Sequence, residues 1–145
     1  MEVRIKNMEN EIPTILFVCE HGSAKSTIAA EHFNKLAGER NLPVQAISRG
    51  TDPDSIFPDN VVAGLQSDGL KIGEPRPQKL SQNEIDKSIR IITFCELPDQ
   101  YENDHGEDWS DVPSVSENYE RSRDQIVERV KRILDEVHSS EREEN

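Results

Sequence analysis

Cys19 opens the one stretch of this chain whose residue types and order suit covalent chemistry. Cys19-Glu20-His21-Gly22-Ser23-Ala24-Lys25-Ser26 directly follows the apolar run Ile15-Leu16-Phe17-Val18 and precedes a segment with helical periodicity. Between a buried strand and a helix, six residues suffice for a tight cup with its backbone N–H groups turned inward, ending at the positive end of a helix dipole. Such a cup takes a tetrahedral oxyanion. The same field favours a thiolate, which makes a cysteine at its start a nucleophile. Gly22 permits close backbone approach or positive φ. Lys25 can offer a charge to the anion, and Ser26 can cap the helix or hydrogen-bond the sulfur. A nucleotide P-loop is excluded: it needs Gly directly before Lys, and Ala24 stands directly before Lys25 here.

The elements that would position this cup are legible from apolar patterning. Ile15 to Cys19 is too short for a helix and rich in strand formers, as expected of a strand buried on both faces. Ile28, Ala29, Phe33, Leu36 and Ala37 recur at helical spacing from Ser26, with Gly38 near the expected stop. Val44 to Ile47 forms a second strand. A helix starts at Asp59-Asn60 and ends near Gly69, and Ser81 and Glu84 have capping-box spacing for a short helix. Ile89 to Cys95 reads as a third strand and Glu107 to Asp111 as a short fourth. A last helix from about Asn118 to His138 carries the stripe Ile126, Val127, Val130, Ile133, Leu134 and Val137. This alternation predicts an α/β fold: a three-layer sandwich with a four-stranded parallel sheet and helices on both faces. Residues 1–13 and 139–145 read as poorly ordered tails flanking one domain over 14–138.

The Cys19 to Ser26 segment resembles the signature of the low-molecular-weight protein tyrosine phosphatase superfamily, which includes thioredoxin- and mycothiol-coupled arsenate reductases: strand, Cys, five residues, Arg, Ser, helix. The likeness continues through Ser48-Arg49-Gly50-Thr51, Ile91-Ile92-Thr93-Phe94-Cys95, Trp109-Ser110-Asp111-Val112-Pro113 and Arg121 to Ile126. The resemblance implies that Cys19 attacks phosphorus or arsenic, that the amides of Glu20, His21, Gly22, Ser23 and Ala24 hold the anion with Lys25, and that Asp111 protonates the leaving group. Asp99 and Asp108 are alternative acids, because Val112 separates Asp111 from Pro113. Lys25 stands where the family has arginine, and a point charge cannot replace a planar fork. Arg49 stands where alanine is usual, so it is expected to reach the pocket rim and restore a guanidinium.

Three functions follow from that resemblance. A phosphatase acting on a phosphorylated protein or small phosphomonoester is placed first. Ser114 and Val115 replace the aromatics that grip a tyrosine ring. An arsenate reductase is the second, using Cys19 with an external thiol or Cys95; Glu102 lies seven residues beyond Cys95, so a three-cysteine relay is ruled out. The third is an oxyanion-binding module without turnover.

Composition narrows the remainder. A net charge of −12 gives no general attraction to nucleic acid or anionic membranes. No apolar run approaches the roughly 20 residues of a membrane span. Two cysteines and no secretory pattern in the first 18 residues indicate a cytoplasmic chain with reduced thiols, expected as a monomer or weak dimer. No cofactor is expected. His32, His105 and His138 lack ligand spacing with the cysteines, so no metal is expected. Trp109 reads as a packing anchor, Cys95 as a structural residue ending a strand, and His21 as either a gate of the cup or a solvent-facing side chain.

Overall fold

The computed structural model describes residues 12–103 and 106–144. The expected N-terminal tail falls, through residue 11, outside them, as do His105 and Asn145. Four parallel strands form one sheet: β1 (Thr14–Cys19), β2 (Gln45–Gly50), β3 (Arg90–Thr93) and β4 (Gly106–Asp108), in the order β2-β1-β3-β4. Helices α1 (Lys25–Glu39), α2 (Asp59–Ser67), α3 (Gln82–Lys87) and α4 (Tyr119–Glu144) complete the chain.

Alternation along β1 divides the core. Ile15, Phe17 and Cys19 face a large cluster with Phe33 of α1, Leu65 of α2 and Ile126, Val130 and Ile133 of α4. Leu16 and Val18 face the other side, against Leu80, Ile91 and Ile85 of α3. Helices therefore cover both faces, and β1, buried at every position from Ile15 onward, is apolar throughout for that reason. The chain leaves β1 toward β2 on one side and later adds β3 on the other. That reversal opens a crevice beyond the carboxyl end of β1, where Cys19 lies.

Helix α1 does end near Gly38, at Glu39, and the chain turns at Asn41, whose φ of 57° is the left-handed conformation asparagine tolerates. The Ser81–Glu84 capping box forms in both directions. Several boundaries differ from expectation. β3 ends at Thr93, so Cys95 lies in the following loop, half-buried, instead of ending the strand. β4 covers only Gly106–Asp108. Helix α4 continues to Glu144, past the domain end expected at His138. Asn118 starts it, its side-chain oxygen accepting the Arg121 amide at 3.0 Å. Among the described residues no helix is long and apolar enough to cross a membrane.

Candidate active site

Cys19, the last residue of β1, is 8% exposed, and its sulfur lies 2.9 Å from the Ser26 hydroxyl in the first turn of α1. Ser26 continues to Ser48 of β2 at 2.7 Å, and Ser48 to Thr27 at 3.3 Å; Thr27 donates to the Gly22 carbonyl at 3.1 Å. This chain of hydroxyls ties the sulfur, the start of α1 and the middle of the cup to the neighbouring strand. Ser26 thus binds the sulfur rather than capping the helix, whose N-cap Ala24 makes no side-chain bond.

The loop after β2 pins the cup from outside. The amides of Thr51, Asp52 and Asp54 donate to the carbonyls of Cys19, Glu20 and His21 at 3.2, 2.7 and 3.0 Å. The buried Ser23 hydroxyl donates to Asp54 at 2.7 Å. Carbonyls of the cup are thereby turned outward. Among the described residues, the amides of His21, Gly22, Ser23 and Ala24 donate to no protein acceptor. Unpaired donors in a loop that leads into a helix N-terminus are what an oxyanion requires. The packing behind them is close: Gly22, at φ +63°, lies against Gly50, and a Cβ on either would come within 2.7 Å of the other's backbone nitrogen.

A pocket of about 460 Å³ opens over Cys19, and Glu20, His21, Ser23, Ala24, Lys25, Asp54 and Cys95 all line it. Ser114, Val115 and Ser116 also line it, together with Pro58 and Phe94. The Lys25 ammonium donates to the Val112 carbonyl at 2.6 Å. Burial pushes Lys25 below the usual lysine value, against the opposing pull of Cys19 and Asp111. His21 is half-exposed, with Nδ1 3.2 Å from the Asp52 carbonyl oxygen and 3.5 Å from the Asp54 carboxylate. Burial, reinforced by the negative charges of Cys19 and Glu20, pushes the Cys95 thiol up to about 11.

Two expected residues are not in the pocket. Arg49 does not restore the missing guanidinium: β2 alternation turns Ser48 toward Ser26 and Arg49 to the opposite face, where it binds Glu84 at 2.6 Å and Glu74 at 3.0 Å. Asp111 is turned onto Arg129 of α4 in a two-point pair of 2.9 and 2.6 Å. That hydrogen bonding, with the charges of Arg129 and Lys25, holds its carboxyl below the usual range. Asp99 and Asp108 line an adjacent 730 Å³ recess that shares Cys95. Trp109 packs against Phe17 and Phe94 with ring centroids 5.8 Å apart in each case. Among the described residues no group of three or more His, Cys, Asp or Glu is placed to hold a metal ion.

Ser48, Gly50 and Asp54 are site residues that sequence reasoning missed. Gly50 had a signal, since Ser48-Arg49-Gly50-Thr51 lies at the end of a strand beside β1. Asp54 had none, because only tertiary folding brings it to Ser23.

No family model and no curated protein sequence matches the chain. Solved structures do. YfkJ from Bacillus subtilis superposes with a TM-score of 0.78 at 18% identity, over 90% of this chain and 98% of that one. The chain has the fold of the low-molecular-weight protein tyrosine phosphatase superfamily. A low-molecular-weight protein tyrosine phosphatase from T. tengcongensis matches with a TM-score of 0.69 at 17% identity, over 86% of this chain and 99% of that one. An arsenate reductase from Archaeoglobus fulgidus matches at 27% identity with a TM-score of 0.64, over 83% of this chain and 98% of that one. Solved structures of a phosphatase and of an arsenate reductase thus both share this fold.

Proposed function

We propose that the chain is a cysteine-dependent phosphatase that binds a phosphoryl group in the Cys19 to Ser26 loop. One observation carries the reading: a buried sulfur held by Ser26 at 2.9 Å, at the base of a loop in which the amides of His21, Gly22, Ser23 and Ala24 meet no acceptor among the described residues. In this reading the Cys19 thiolate attacks phosphorus. An S–P bond forms, the P–O bond to the leaving group breaks, and the leaving oxygen takes up a proton. Water then cleaves the S–P bond, releasing inorganic phosphate and the thiolate. Lys25 and the loop amides would stabilise the equatorial oxygens. With Lys25 in place of arginine, that stabilisation lacks a bidentate component. With Ser114 and Val115 where an aromatic grip on a tyrosine ring would stand, the reading is of a phosphomonoester or phosphoprotein substrate held mainly by its phosphoryl group.

Arsenate reduction is the second reading, favoured by the presence of Cys95 in the same pocket as Cys19. Attack on a Cys19–arsenate adduct requires a thiolate, and a thiol raised to about 11 is almost entirely protonated at neutral pH. An external low-molecular-weight thiol suits this pocket better than Cys95. Hydrolysis of p-nitrophenyl phosphate and thiol-dependent reduction of arsenate, each in wild type and Cys19→Ser, separate the readings. Cys19-dependent hydrolysis is the expected result. Reduction without hydrolysis would replace the phosphatase with the reductase, and anion binding without either would leave a binding module.

A further inference from the structure

The geometry points to Arg129 as a positioning residue for the proton donor of this site: its pair with Asp111 keeps that carboxylate out of the pocket, and release of the pair admits Asp111 as general acid. This inference rests on the phosphatase reading, because only a leaving oxygen needs that proton.

The turn bearing Asp111 is fixed at the pocket rim. The Val112 amide donates to the Trp109 carbonyl at 3.1 Å, closing the turn, and the Val112 side chain is 2% exposed. The Val112 carbonyl meets Lys25, which lines the Cys19 pocket, so Asp111 is one residue from a group in direct contact with the site. Its own side chain is 70% exposed, and among the described residues Arg129 is the side chain that hydrogen-bonds it. Freeing the carboxylate therefore begins with rotation of a surface side chain.

Arg129 is itself held in place. Its guanidinium lies 5.6 Å from the centre of the buried Trp109 ring, and the Trp109 indole N–H is bonded to Glu107 at 2.7 Å. A planar fork resting on a fixed ring presents two parallel donors to one carboxylate, which a lysine cannot do. The other charged groups facing Asp111 are Lys25 of α1 and Asp108 at the end of β4. Glu107 and Glu128 lie near Arg129. Val112, the residue inserted between the aspartate and Pro113, is what anchors the turn so that Asp111 faces α4.

Once released, the protonated Asp111 carboxyl would give its proton to the leaving oxygen as the P–O bond breaks. The resulting carboxylate would recover a proton from the water that cleaves the S–P bond. The test compares phenyl phosphate, whose leaving group needs a proton, with p-nitrophenyl phosphate, whose leaving group needs it far less. Arg129→Gln is expected to raise kcat on phenyl phosphate by roughly tenfold or more relative to that on p-nitrophenyl phosphate, and to add a limb that falls as the acid deprotonates. Asp111→Asn is expected to cost at least about tenfold more in the Arg129→Gln background than in wild type, and Arg129→Lys to lie between. Carboxyl NMR should show Asp111 titrating below the usual range in wild type and returning to about 3.9 in Arg129→Gln.

An unchanged substrate ratio in Arg129→Gln, or an equal cost of Asp111→Asn in both backgrounds, overturns the inference while Cys19-dependent hydrolysis still stands. Absence of that hydrolysis overturns the phosphatase reading and this inference with it.

Discussion

Gly22 and Gly50 face each other where the cup crosses the end of β2, and replacing each with alanine separates two costs that usually arrive together. A Cβ on Gly22 would lie 2.7 Å from the Gly50 nitrogen, and a Cβ on Gly50 would lie 2.7 Å from the Gly22 nitrogen. Both distances are far inside the roughly 3.5–4.0 Å at which nonbonded heavy atoms attract. The opposing atoms are backbone, so no rotamer change relieves the overlap, and overpacking of this kind costs about 1–3 kcal/mol. Only Gly22 also has positive φ, at 63°, which adds about 1–2 kcal/mol for a residue with a Cβ. Gly50→Ala should therefore destabilise by about 1–3 kcal/mol and Gly22→Ala by about 2–5 kcal/mol.

Urea unfolding measures this directly: at about 1–3 kcal/mol per molar, the Gly50→Ala midpoint should fall by roughly 1 M and that of Gly22→Ala further. Gly38 supplies the opposite sign. It sits exposed within α1 with nothing within 4 Å of its Cβ position, so Gly38→Ala should stabilise by about 0.5–1 kcal/mol. Calorimetric titration with inorganic phosphate then links structure to function, since a cup pushed away from β2 no longer converges its amides. A Gly50→Ala protein with wild-type midpoint and wild-type phosphate affinity would refute the argument that close approach of the two backbones builds the cup.

Two further outcomes follow from buried polar groups. Asp68, at the end of α2, accepts bonds from His32 at 3.1 Å, from Tyr119 at 2.8 Å and from Arg123. Burial holds His32 below its usual value despite that bond, so the unfolded chain takes up the His32 proton first. Its contribution to stability is then present above about 6.5 and is lost as pH falls below that value. Burial alone would raise Asp68, but its three donors hold it below the usual carboxylate range, so a second loss follows in the carboxylate range as acid is added. Chemical unfolding between neutral pH and pH 5 should show a decline that His32→Gln removes; an identical decline in that variant would exclude His32 as its source. Ser26→Ala removes the partner of both the Cys19 sulfur and Ser48, which should cost about 1–2 kcal/mol and slow iodoacetamide labelling of Cys19. Unchanged labelling would show that the hydroxyl does not act on the sulfur.

The segments that could be read from sequence are those whose local pattern and tertiary role agree. β1 is apolar from Ile15 to Cys19 because both faces of the sheet are covered there, and α4 carries its stripe because one side meets the core. The Ser81–Glu84 box is legible because capping is satisfied within four residues. Gly38 does lie near the end of α1, at Glu39; a boundary failed at β3, which stops at Thr93, where its pairing with β1 and β4 ends.

At the site the same division holds, and its reason is distance along the chain. By itself the sequence determined a cysteine at a strand end, a six-residue loop and a following helix, since all three lie within one continuous segment. It could not determine where side chains from remote segments point. Strand alternation sends Arg49 to Glu84 and brings Ser48 to Ser26, while a helix ninety residues farther along the chain than the cup supplies Arg129 for Asp111. The nucleophile is a property of local order. Which charged groups stand beside it is settled only when the sheet and α4 close around it, because the partners of Arg49 and Asp111 come from other elements.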